Sequence, residues 1–73
     1  MKRYKITVKL INVRHEDWTP YMHNIMEEFK ITFTLQKDTY VCMGDDDVFN
    51  QINIVADIFE SRGQTILINS GGI

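Results

Sequence analysis

Residues 31–43 read ITFTLQKDTYVCM. Ile31, Phe33 and Leu35 alternate with Thr32, Thr34 and Gln36, the period of a strand with one buried face, and the residues are β-branched or aromatic. Lys37-Asp38 is the turn, and Thr39 to Met43 returns as a second strand of the same hairpin. A two-residue loop sets Leu35 opposite Tyr40 and Phe33 opposite Cys42, and puts Val41 and Met43 on the face of Thr32 and Thr34. Lys-Asp is not the Asn-Gly pair that tight hairpins prefer, so a longer loop, with the inner and outer residues of the returning strand exchanged, stays open.

A helical pattern flanks the hairpin on each side. Before it, Trp18, Met22, Ile25, Met26 and Phe29 share one face at helical spacing, predicting a helix over 19–29. Thr19 is placed to cap it with Pro20 at the first helical position; Asp17 is the competing cap and sets Pro20 one turn in. After it, Val48, Phe49, Ile52, Val55, Ala56 and Phe59 form a broad apolar stripe, predicting a helix over 47–62. Asp45-Asp46-Asp47 opens that helix, and Gly63 suits a left-handed residue after its end. Outermost lie two more strands. In 3–12, Tyr4, Ile6, Val8 and Leu10 alternate with Lys5, Thr7 and Lys9. Beyond Leu10 the alternation blurs, since Ile11 and Val13 fall on the Lys face: either the strand bends or that end of the face is covered. In 64–69, Ile66 and Ile68 oppose Thr65 and Leu67, and Ser70-Gly71-Gly72-Ile73 is a loose tail.

The order strand–helix–strand–strand–helix–strand is that of the ferredoxin-like split βαβ arrangement. This α+β fold is a four-stranded antiparallel sheet with two helices on one face and the first and third strands central. Ile6, Phe33, Ile52 and Phe59 are expected in the core. All 73 residues form one expected domain, 1–73, small enough that disulfides, metals or partners often assist stability. Cys42 is the only cysteine, which excludes an internal disulfide, and its strand pattern makes it a small buried hydrophobe. Ten acidic against eight basic residues leave a charge of -2, too mild for a duplex-DNA binder or a DNA mimic, so no nucleic-acid partner is expected. No apolar run reaches the roughly 18 residues of a membrane span. The start MKRYKITVKLI interrupts its apolar residues with Lys, unlike a signal peptide, so the chain is expected in the cytoplasm.

No catalytic constellation is legible. The three aspartates lack the alternating spacing of a calcium loop and read as helix-start carboxylates, stabilised by unpaired N–H groups and the helix dipole. His15, Glu16, Asp17 and His23 do not match a zinc-ligand spacing and read as solvated loop and helix-surface positions. Ser61 and Ser70 have no nucleophile motif, and Gly71-Gly72 opens no helix to cradle a phosphate. No enzyme activity, metal or cofactor is expected. Met22 and Met26 read as core of the first helix rather than an adaptable groove.

Function is expected on the sheet face away from the helices. Lys5, Thr7, Lys9, Val41, Met43, Thr65 and Leu67 are the candidate partner-binding residues there, with Thr32 and Thr34 beside them. RNA-recognition motifs use the same face but stack bases on aromatic residues of the central strands, where this chain has Thr7, Lys9, Val41 and Met43. The layout is also similar to small ligand-sensing modules such as amino-acid-binding ACT domains. These hold effectors near the first strand-to-helix turn, usually with a Pro-Gly there; the corresponding Val13 to Trp18 has no Gly and is rich in charge.

The expectation is a non-enzymatic protein-binding module that occupies a partner's surface. Frequent Ile and Asn with Ala56 as the only alanine fit AT-rich coding, as in small phage and mobile-element proteins that inhibit or regulate host systems. The alternative is a small-molecule-sensing regulatory domain working as a dimer, with its effector near Arg14 to Trp18. Strands two and four should be the sheet edges. Ile66, Leu67 and Ile68 in succession give strand four two apolar faces and no protecting charge, so pairing with a partner or a second copy is expected there or on the outer face.

Overall fold

A computed structural model describes residues 2–71. In chain order the elements are β1 (Tyr4–Leu10), α1 (His15–Phe29), β2 (Thr34–Gln36), β3 (Thr39–Gly44), α2 (Asp46–Glu60) and β4 (Ile66–Gly71). The strands form one antiparallel sheet in the order β2-β3-β1-β4, so β1 and β3 are central and the fold is ferredoxin-like α+β. The hairpin has the two-residue Lys37-Asp38 loop, and Leu35 pairs with Tyr40 and Thr34 with Val41. Lys37 supplies the positive φ, 60°, that a tight connection needs and that glycine more often provides.

Both helices send their apolar stripes to one sheet face. Ile6 and Val8 of β1, Tyr40 and Cys42 of β3 and Ile66 of β4 meet Trp18, Met22 and Ile25 of α1 and Val48, Ile52, Val55, Ala56 and Phe59 of α2 in one buried cluster. Phe59 is the junction of the two helices: its ring centroid lies 5.6 Å from that of Trp18 and 5.4 Å, edge-on, from that of Tyr21. Gly44 is buried where β3 hands over to α2, so close to Val48 that a side chain on it would stand 2.8 Å from Val48 Cβ.

Several boundaries depart from the sequence reading, each for an identifiable physical reason. The first helix begins at His15, four residues before Thr19, and Pro20 lies inside it. Thr19 is therefore not the cap; its hydroxyl donates to the His15 carbonyl at 2.7 Å. The earlier start brings Trp18, fully buried, onto the helical stripe, and this packing outweighs Pro20's preference for a first turn. β2 is shorter than 31–36 because the chain leaving α1 stays tied to it. Ile31 N–H bonds the Met26 carbonyl and Phe33 N–H the Met26 sulfur, so pairing with β3 begins at Thr34. Phe33 accordingly has no ladder partner in Cys42 and is partly buried rather than core, while Ile6, Ile52 and Phe59 are core as expected. Leu35 has the inner parity but sits on the edge strand and is 53% exposed.

β1 ends at Leu10 rather than residue 12: the chain bends through 11–13, leaving Ile11 exposed and turning Val13 into the core. α2 ends at Glu60, two residues early, in the bond pair Gly63 N–H to Glu60 and Gln64 N–H to Phe59, with Gly63 at φ 80°. Those bonds occupy the chain up to Gln64. Thr65 N–H then bonds Asn12 Oδ1 at 2.6 Å, so β4 starts at Ile66 rather than Gln64. It continues through Ser70 and Gly71, which are strand rather than tail; Gly72 and Ile73 lie outside the described residues.

Candidate functional site

The register lays out the open face row by row. Met43, Lys5 and Gly71 stand abreast; next come Thr34, Val41, Thr7 and Asn69; then Gln36, Thr39, Lys9 and Leu67. These are the residues alternate to Ile6, Val8, Tyr40, Cys42 and Ile66, whose side chains fill the core, so they lie on the sheet face away from the helices. Six of the seven candidate residues are thereby brought together in β1, β3 and β4. Thr65, exposed and just before β4, extends the row parity at one end, its carbonyl accepting from Ile11 N–H at 3.1 Å. Thr32 lies outside the ladder.

The face is mixed in chemistry. Lys5 and Lys9 form a cationic column on central β1, with Thr7 between them bonding the Asn69 carbonyl. On either side stand apolar groups: Met43, 41% exposed, and Val41 on β3, and Leu67, 48% exposed, on β4. Lys9 of β1 reaches Asp38 in the β2–β3 turn at 3.8 Å, an exposed pair that contributes little. Ile11, 52% exposed, shares the parity of Lys9 and extends the apolar part of the surface. It was absent from the sequence candidates because that end of the strand was open to being covered, although its parity was legible; Asn69 was reachable by the same count.

Several of the titratable groups outside this face make local contacts. Asp45 caps α2, one carboxylate oxygen accepting from Asp47 N–H at 3.1 Å and Val48 N–H at 3.2 Å. Asp46 Oδ1 accepts from the Tyr4 hydroxyl at 2.7 Å, and that bond, with burial and the charges of Asp46 and Asp45, raises the Tyr4 hydroxyl to about 12. His15, expected as a solvated loop position, opens α1 with Nδ1 hydrogen-bonded to the Tyr40 hydroxyl at 2.6 Å. Arg14 is held by Glu16 at 2.6 Å. Cys42 points into the core, and burial pushes its thiol up to about 11, which keeps it protonated and unreactive at neutral pH. Among the described residues no three His, Cys, Asp or Glu side chains gather as metal ligands, and no helix is long and apolar enough to cross a membrane. The chain matches no protein-family model, no curated protein and no solved structure.

Proposed function

We propose that this chain is a non-enzymatic protein-binding module that acts as an inhibitor or regulator by occupying a partner's surface with its open sheet face. One observation carries the reading: Leu67, Met43 and Val41 flank the Lys5–Lys9 column on a face that neither helix covers. An exposed apolar and cationic platform of this kind suits a partner surface that pairs apolar contacts with acidic groups at their margin. The platform carries no aromatic side chain to stack a base, and its only cations are two lysines, which favours protein over nucleic acid. The small-molecule-sensing alternative asks for free groups near Arg14 to Trp18. There Arg14 is paired with Glu16 and His15 with Tyr40, which weighs against it, although the buried Trp18 Nε1 has no hydrogen-bond partner.

The test is capture from cell extract by immobilised native chain, beside chains carrying Met43→Lys or Lys5→Glu, together with a thermal-shift screen of metabolites. One defined protein retained by the native chain and lost with either substitution is the expected result. Strong stabilisation by a metabolite, with no retained protein, overturns the proposal in favour of the sensing domain.

A further inference from the structure

β4 is an edge strand, paired with β1 on one side only. The bond from Ile11 N–H to the Thr65 carbonyl fixes which of its backbone groups face β1. Residues 11 and 65 continue the β1–β4 register, so that pair is of the hydrogen-bonded kind, as are Lys9 with Leu67, Thr7 with Asn69 and Lys5 with Gly71. The N–H and C=O groups of Ile66, Ile68 and Ser70 therefore point out from the edge. They form an evenly alternating row centred on Ile68, in a strand with no charge and no proline.

We infer that this edge pairs antiparallel with β4 of a second copy, Ile68 opposite Ile68 and Ile66 opposite Ser70, joining two four-stranded sheets into one of eight strands. The row is its own complement under a two-fold axis, because each outward N–H meets an outward C=O of the same three residues. Ile68, partly buried in the monomer, gains an apolar neighbour on the helix side, and Leu67 stands beside Asn69 of the second copy on the outer face. Charge does not oppose the joint. The lysines of each β1 are three strand spacings, about 14 Å, from the facing β1, beyond the ~8 Å screening length at physiological salt. The opposite edge is a poorer template, since β2 has three residues, Thr34–Gln36. This pairing is separate from the outer-face reading: it uses the edge and leaves that face open, doubled in extent.

Sedimentation of three chains tests it, with circular dichroism as the fold control. The native chain is expected to be a dimer. Ser70→Pro removes an outward N–H while sparing the bonds to β1, and should raise the dissociation constant by about tenfold or more. Met43→Lys, on the outer face, should leave the dimer unchanged. Mixing chains carrying Leu67→Cys with chains carrying Asn69→Cys should yield the mixed disulfide, because the register sets those positions directly opposite. The mixed disulfide alone decides the matter if Ser70→Pro fails to fold. A native chain that stays monomeric at millimolar concentration, a dimer dispersed by Met43→Lys, or absence of the mixed disulfide overturns the inference. The first and third outcomes leave the outer-face proposal standing.

Discussion

Phe59→Ala is the substitution that most severely tests the packing. Phe59 of α2 is 2% exposed and packs its ring against two aromatic residues of α1, Trp18 and Tyr21, while the Arg62 guanidinium lies 5.9 Å from its ring centre. Transfer of a buried phenyl side chain contributes about 1.5–3 kcal/mol. The cavity left between two helices that cannot both close over it, with the lost edge-on contact, raises the expected cost to about 3–5 kcal/mol. A chain of 73 residues has roughly 4–11 kcal/mol in total, so the substitution removes about a quarter of the stability or more and leaves a weakly stable chain partly unfolded. Urea denaturation followed by far-UV circular dichroism and by Trp18 fluorescence measures this, with Phe33→Ala, at a partly buried site outside the ladder, as the milder comparison. A loss under about 1 kcal/mol for Phe59→Ala would refute the placement of this ring at the helix junction.

Gly44→Ala should cost about 1–3 kcal/mol in the same denaturation, because its Cβ would stand 2.8 Å from Val48 Cβ, on a helix that the core holds in place. Asp45→Ala removes the acceptor for two N–H groups at the start of α2 and should cost about 1 kcal/mol, read as a lowered urea midpoint. The Tyr4 hydroxyl should ionise near 12 rather than near 10.0, seen by absorbance as one tyrosine titrating late. Because its folded value is the higher one, its contribution to stability is complete below pH 10.0 and is lost as pH rises towards 12; Tyr4→Phe should abolish the late step. Leu67→Lys should leave the fold intact within about 0.5 kcal/mol, since the side chain is exposed on the outer face, while weakening partner capture; unfolding would show the face to be wrongly assigned.

The topology was legible because period-two and helical patterns alternate without conflict, and because the two-residue hairpin loop fixes the register that places Val41 and Met43 outward. The helix starts were legible only where the capping chemistry is local. Asp45 announces α2 in the sequence. α1 opens at His15, whose neighbour Arg14 makes no side-chain cap, and its start is set by the packing of Trp18 and the bond to Tyr40, twenty-five positions away. Long-range contacts of this kind leave no mark in a local pattern. The same holds for Phe33, whose alternation predicts a core strand while the hold of Met26 on the chain keeps it out of the ladder. The candidate face was recoverable from parity alone; Ile11 needed the bend at residues 11–13 to be seen before it joined that face.

The central claim is that the open sheet face is the binding surface. Its most direct test is a backbone amide chemical-shift map of the labelled chain on addition of the partner that it captures. The account predicts that the largest changes fall on Lys5, Thr7, Lys9, Val41, Met43, Thr65 and Leu67, with the helices little affected. Changes centred on Arg14 to Trp18, or on exposed Ile54 and Ile58 of α2, would contradict it.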